Sequence, residues 1–234
     1  MTQPQLGSVP SKNTIKRLVQ YLGQDEVSQI QGFVEDTKAL MACYRCALLE
    51  VETKFRVLNE QFSLQHARNP IDSIKTRVKT PESIVGKLDR KGLPHTLEAI
   101  ETQLFDIAGL RVICPFVDDI YILADCILQQ DDVRLVERKD YIANPKPNGY
   151  RSLHLIIEVP IFLRNEKRFM KVEVQLRTIA MELWANLEHK LRYKKNLDEE
   201  TAALVAGELT SCSEMTALVD RKMQYVRNVI DNEH

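Results

Sequence analysis

Two acids and several cations stand at spacings that could do chemistry. Arg77 and Lys79 alternate, and Ser83, Lys87 and Arg90 follow at i, i+4 and i+7. Alternation puts the first two on one side of a strand, and the second spacing puts the other three on one helix face. Four cations and a hydroxyl can therefore converge where strand meets helix. The helix N-terminus adds backbone donors and partial positive charge. This arrangement suits a polyphosphate. A solvated basic helix face has the same spacing, since Glu82 and Asp89 lie nearby.

The acids come later. Asp106 precedes Ala108-Gly109-Leu110-Arg111, so a carboxylate sits just ahead of a buried strand, at a sheet edge where metal sites are often built. A helix-ending turn with Gly109 as its cap also fits. Glu173 falls on the polar side of an alternating segment, with Lys171, Gln175 and Arg177 beside it. An acid on a sheet face is costly unless that face is wet or liganded. Together Asp106 and Glu173 would make a two-carboxylate magnesium site, the kind that leaves room for substrate phosphates. An exposed polar face with cross-strand ion pairs is the alternative.

Arg138, Lys139 and Lys146 are followed by Asn148-Gly149-Tyr150-Arg151-Ser152 and His154. A basic loop ending in an aromatic can hold phosphates and stack a purine. His154 alternates with Leu153 and Leu155 and should face the polar side. Tyr150 reads equally as an ordinary strand-start aromatic. Further on, Glu182, Trp184, Asn186, Glu188, His189 and Arg192 open a helix. Trp184 and Leu187 read as core, while Glu188 and His189 could support a site by hydrogen bonds. No H-E-x-x-H metal motif is present.

The positioning elements follow from pattern. Residues 1–10 read as a loose tail, and Ser11 could cap a short helix to about Tyr21. Phe33, Thr37, Leu40, Tyr44, Ala47, Val51, Phe55, Leu58 and Phe62 repeat at threes and fours, which predicts a long helix packed on its own domain or on another subunit. Asn69-Pro70 ends it. Strands are expected over Ser73–Lys79, Leu110–Cys114, Val133–Glu137, Leu153–Val159 and Phe169–Arg177. Helices are expected over Pro81–Lys91, Val117–Gln129, Ile179–Lys194 and Asp198–Ile230. Helices around roughly five strands give an α+β, mixed-sheet architecture. The division is a tail and helical extension over 1–68, a core over 69–196 and a C-terminal helical extension over 197–234.

Bulk properties narrow the classes. The 234 residues are 44% apolar and 28% charged, with a net charge of −1, so any anion binding must come from local clusters. The five cysteines are scattered. Cys43 and Cys46 form C-x-x-C inside a helical pattern without a second ligand pair, which favours packing over zinc or redox chemistry. No secretory leader and no apolar run of about 18 residues is evident, so reduced thiols and a cytoplasmic location are expected.

The strings Arg77-x-Lys79-x-x-x-Ser83-x-x-x-Lys87-x-x-Arg90, Asp106-Ile-Ala-Gly-Leu-Arg111, Asn148-Gly-Tyr150-Arg-Ser-Leu-His154, Val172-Glu173-Val-Gln175-Leu-Arg177-Thr and Trp184-Ala-x-Leu-Glu188-His189 occur in this order. Over residues 70–195 the chain resembles the synthetase domain of the RelA/SpoT homologue family. No His-Asp dipeptide of the family's hydrolase is present, so the resemblance is to a single-domain small alarmone synthetase without hydrolase or regulatory domains. It implies a nucleotidyltransferase-like fold and transfer of a diphosphate from ATP to the 3′-hydroxyl of GDP or GTP. It implies ATP binding by Arg77, Lys79, Ser83, Lys87 and Arg90, with Mg²⁺ on Asp106 and Glu173. It further implies guanine stacking on Tyr150, and contacts from Arg138, Lys146, His154 and Gln175, the helix Trp184–His189 completing the pocket. Terminal helices that build a homotetramer, and an allosteric alarmone or single-stranded RNA as a further partner, belong to the same expectation. Rival readings are a toxic relative acting on adenine nucleotides or tRNA, and an inactive nucleotide- or RNA-binding regulator.

Overall fold

The computed structural model describes residues 24–65, 69–192 and 198–232; the expected tail and first short helix lie outside them. A long helix α1 (Gln24–Gln65) leads to β1 (Ser73–Val78), α2 (Pro81–Lys91), α3 (Leu97–Gln103) and β2 (Ala108–Cys114). There follow α4 (Val117–Leu128), β3 (Arg134–Asp140), β4 (Leu153–Phe162), β5 (Lys167–Thr178), α5 (Ile179–Arg192) and α6 (Glu199–Asp231). The strands form one mixed sheet in the order β1-β2-β5-β4-β3, in which only β2 and β5 run parallel. This is the expected five-stranded α+β arrangement.

Period-2 alternation gives the sheet two chemically distinct faces. Leu110, Val112, Leu153, Leu155, Ile157, Val172, Val174 and Leu176 are buried on one. Against them lie α1, through Leu40, Tyr44, Ala47, Val51, Phe55 and Leu58, and α4, through Ile120, Leu123, Ala124 and Ile127. Each fully buried Leu, Ile or Phe contributes about 1.5–3 kcal/mol, so this layer is the main stabilising block. From Leu40 to Leu58 the 3-4 stripe of α1 is thus buried within the chain. Helix α6 packs on α5 and touches α4.

Local chemistry sets the boundaries near the site. Thr80 caps α2, its Oγ1 accepting a hydrogen bond from Ser83 N, with Pro81 in the first turn. Gly92 ends α2 at φ 63°. Asp198 caps α6 by accepting from Thr201 N.

Several boundaries differ from the pattern-based expectation. Helix α3 was not anticipated: its seven residues are too few to show a period, although Thr96 caps it at Ala99 N. Strand β3 runs to Asp140 rather than Glu137, because pairing with β4 carries its charged end. Strand β4 continues through Pro160. Pairing with β3 stops at Glu158, so beyond it β4 is an edge, where proline is tolerated. Trp184 is buried as expected, but Leu187 is 48% exposed and joins Ile179, Leu183 and Leu191 on an open stripe of α5. Among the described residues no helix is long and apolar enough to cross a membrane.

Candidate active site

The second sheet face carries the polar residues, and strand register arranges them in rows. One row reads Arg77, Gly109, Glu173, Ile156, Glu137 across β1, β2, β5, β4 and β3. The next reads Lys75, Arg111, Gln175, His154, Lys139. Side chains paired across strands share a face. Glu173 therefore sits mid-sheet, with cations towards the β1 edge and the aromatic loop towards the β3 edge. Gly109 gives its place in the row no side chain, leaving the floor open between Arg77 and Glu173.

At the β1 side, Asp106 is the hub. Lys79 Nζ and Lys87 Nζ both donate to its Oδ2, at 2.7 and 2.5 Å. Burial pushes the carboxyl pKa up, but hydrogen bonds from the two lysines outweigh it and hold the group below its ordinary value. Ser83 and Arg90 lie on the same helix as Lys87, and Arg90 folds back over Gly86. The strand–turn–helix of β1 and α2 thus brings Lys79 and Lys87 to one carboxylate. Arg77 extends from the same sheet face.

Glu173 is held at both oxygens. His154 Nδ1 lies 3.2 Å from Oε1, and Gln175 Nε2 donates to Oε2 at 2.9 Å. Burial raises this pKa too, yet the His154 contact and then the Gln175 hydrogen bond leave it below the usual range, while the charge of Asp106 acts against them. Asp106 Oδ1 is buried and has no hydrogen-bond partner. An orphaned carboxylate oxygen, electrostatically coupled to a second carboxylate, fits a hard divalent cation that keeps most of its shell for water and phosphate. No group of three or more His, Cys, Asp or Glu that could hold a metal occurs among the described residues.

Towards β3, a pocket of about 190 Å³ is lined by Glu137, Lys139, Tyr141, Lys146, His154, Ile156 and Glu173. Tyr150 borders it. Its hydroxyl is 2.7 Å from His154 Nε2, and Tyr141 meets both rings edge-on. Lys146 Nζ lies 4.5 Å from the Tyr141 ring centroid and 5.1 Å from that of Tyr150. The preceding Gly149 has φ 88°, and a Cβ there would come within 2.6 Å of Ser213 Cβ on α6. Glycine is required both for the backbone angle and for the approach of α6. A larger cleft of about 580 Å³, lined by Asp131, Asp132, Arg134, Glu158 and Phe169 among others, lies away from these rows. Three of its charged residues are engaged in ion pairs, Asp132 with Lys54 and Arg134 with Glu158.

Arg138, expected among the acceptor contacts, faces the other side of the sheet. It pairs with Leu155, so alternation turns it to the opposite face, where its guanidinium lies 6.0 Å from the Tyr121 ring. The strand was expected to end before it, which hid this parity. Lys139, one residue on, faces His154 instead. A second centre was not foreseen as a unit. Glu182, only 9% exposed, gathers Lys75 (3.2 Å), Arg111 (3.0 Å) and Arg177 (3.0 Å) and accepts from Asn186 Nδ2. Burial raises its pKa, but Arg111, Asn186 and Arg177 together bring it below the ordinary carboxylate value. Lys75 shares strand parity with Arg77 and could have been found by that signal. Tyr141 had no signal beyond its residue type. Glu188 and His189 lie on α5, half-buried and exposed respectively.

Residues 76–198 match the model of the region found in RelA / SpoT proteins. The chain is 43% identical over 210 residues to GTP pyrophosphokinase YwaC of Bacillus subtilis, covering 90% of this chain and 99% of that protein. It is 37% identical to GTP pyrophosphokinase YjbM of the same organism, over 80% of this chain and 86% of that protein. Among solved structures, small alarmone synthetase 1 from Bacillus subtilis bound to its product pppGpp superposes with a TM-score of 0.75 at 34% identity, covering 84% and 99% of the two chains. Small alarmone synthetase 2 gives 0.73 at 42% identity, covering 82% and 98%. With matches that run almost end to end through these relatives, and with the polar sheet face built from the motif residues, the chain belongs to the RelA/SpoT family.

Proposed function

We propose that the protein is a GTP pyrophosphokinase that moves the β,γ-diphosphate of ATP onto the 3′-hydroxyl of GDP or GTP and releases AMP. One observation carries this reading: Glu173 sits mid-sheet between a cationic, phosphate-type mouth and a pocket of aromatic and basic side chains. A diphosphate donor on one side and a nucleotide acceptor on the other would meet at its carboxylate.

In this scheme Arg77, Lys79, Ser83, Lys87 and Arg90 hold the ATP phosphates. Tyr150 stacks on guanine, while Lys146, Lys139 and His154 meet acceptor phosphates from the pocket wall. The acceptor 3′-oxygen attacks the β-phosphorus. The bond from that phosphorus to the α,β-bridging oxygen breaks, and AMP leaves with that oxygen. Glu173, fixed at both oxygens, takes the 3′-hydroxyl proton. Positioning and charge neutralisation provide most of the acceleration, as in other phosphoryl transfers. Asp106 and Glu173 would hold a Mg²⁺ ion, which when bound supplies neutralisation of the phosphate charge. A cytoplasmic location, a homotetramer using the exposed apolar stripes of α5 and α6, and an allosteric alarmone or single-stranded RNA are parts of the same proposal.

The test is product identification. Labelled ATP is incubated with GDP, GTP, GMP, an adenine nucleotide or tRNA, and the products are separated. AMP together with a guanosine 3′-diphosphate is the expected result. Labelling only of the adenine nucleotide or tRNA would transfer the same chemistry to another acceptor. Release of no AMP with any acceptor would make the protein a binding module.

A further inference from the structure

Arg177 is buried at the root of the polar face, where no substrate group reaches it directly: it is 4% exposed. Its contacts nonetheless lead to both sides of the site. One terminal nitrogen, Nη2, donates to the Tyr150 hydroxyl and to Gln175 Oε1, the latter at 2.9 Å. The other, Nη1, donates to Glu182 Oε2 at 3.0 Å, which fixes the guanidinium plane. Its carbon lies 5.0 Å from the Tyr150 ring centroid.

From Nη2 two arms run to one carboxylate. The first passes through the Tyr150 hydroxyl to His154 Nε2, 2.7 Å away, and from His154 Nδ1 to Glu173 Oε1 at 3.2 Å. The second passes through Gln175, whose Nε2 donates to Glu173 Oε2 at 2.9 Å. With the Nδ1 proton on His154 the donor sense runs one way along both arms, from guanidinium to carboxylate. Arg177, Tyr150, His154, Glu173 and Gln175 thus close a ring. Planar geometry matters here, because a single guanidinium nitrogen presents two N–H groups at a fixed angle.

We infer that Arg177 is a positioning residue that locks the acceptor-stacking ring of Tyr150 and the carboxylate of Glu173 into one rigid unit, so that seating the acceptor base sets the carboxylate at its 3′-hydroxyl. A lysine in the same place keeps the charge beside Glu182 but cannot serve both arms in that geometry. A phenylalanine at 150 keeps the stacking ring but cuts the first arm. The two changes break one device and should not compound.

The inference rests on the pyrophosphokinase reading, and the experiment separates the two. Wild type, Arg177→Lys, Tyr150→Phe and the double variant are assayed with ATP and GDP for kcat and for each KM, with melting temperatures recorded. Each single variant is expected to lose about tenfold in kcat with the KM for ATP unchanged, and the double variant to lose no more than either single. Tyr150→Phe with wild-type kcat, or a double variant whose loss is the product of the two, overturns the coupling. Should Arg177→Lys fail to fold, Tyr150→Phe alone decides by the same kcat criterion. A wild type that makes no guanosine 3′-diphosphate overturns the functional reading instead.

Discussion

Lys87 Nζ lies 2.5 Å from Asp106 Oδ2, while Oδ1 of the same carboxylate is buried without a hydrogen-bond partner. The two oxygens are therefore unequal: one accepts from two lysines, and the other is the one that the proposed Mg²⁺ would take. Removing the carboxylate should remove the cation with it. Asp106→Ala is expected to lower kcat/KM by about 10³-fold or more, the several kcal/mol that a lost metal costs. Chelation of wild type should give a similar loss, reversed by Mg²⁺. Full turnover by Asp106→Ala would remove the metal assignment.

In the proposed site Tyr150 would offer its ring to the acceptor, while its hydroxyl meets His154 Nε2. Tyr150→Ala should weaken guanine-nucleotide binding by about 1–3 kcal/mol, the usual value of a base–aromatic stack, and leave ATP affinity alone. Calorimetric titration with GDP and, separately, with a non-hydrolysable ATP analogue distinguishes the two. An unchanged GDP affinity would take Tyr150 out of the acceptor site.

Neighbouring cations on β3 should behave oppositely because they face opposite ways. Lys139→Ala is expected to raise the acceptor KM about tenfold, the loss of one charge-assisted contact. Arg138→Ala should change it by no more than about twofold. Reversed effects would mean that β3 is paired one residue out of register.

Gly149 has a positive φ and faces Ser213 without room for a Cβ. Gly149→Ala should destabilise the fold by about 1–3 kcal/mol and displace the loop that carries Tyr150. Activity should therefore fall further than stability explains, read as a loss of kcat/KM well below the melting temperature. A variant with normal acceptor KM would show that the loop is not held through this contact.

Glu182 binds Lys75, Arg111 and Arg177, and in the folded protein its pKa is held below the ordinary carboxylate value. A depressed folded pKa contributes stability that is fully present above the unfolded value and is lost as pH falls through the folded one. Wild type should therefore lose stability progressively below about pH 5, and Glu182→Gln should show a flatter dependence there. Glu182→Ala, which strands buried Arg177, should cost about 3 kcal/mol at neutral pH, or roughly 6–12 °C in melting temperature. Identical acid profiles for Glu182→Gln and wild type would show that Glu182 is not the titrating partner.

Much of the site was legible in the chain because its parts obey local periodicities. The i, i+4, i+7 spacing of Ser83, Lys87 and Arg90 fixes one helix face whatever surrounds it. The alternation of Met170, Val172 and Val174 with Lys171, Glu173 and Gln175 fixes which side of β5 is wet. Proline and glycine at 147 and 149 mark the loop before Tyr150. These depend on backbone geometry alone. Register between strands does not: it is set by the packing of α1 and α4 on the far face, through side chains distant in sequence. Only that packing put Gly109 beside Glu173 and Lys139 beside His154, and turned Arg138 away. Only the folding of α5 against β5 dropped Glu182 among three cations from three strands and segments, and so anchored the guanidinium that reaches Tyr150. Residue types and spacings determined which groups were available for phosphate and nucleotide chemistry. Burial of the opposite face decided which of them meet, because a slip of one residue turns every apolar side chain of a strand to the wet side.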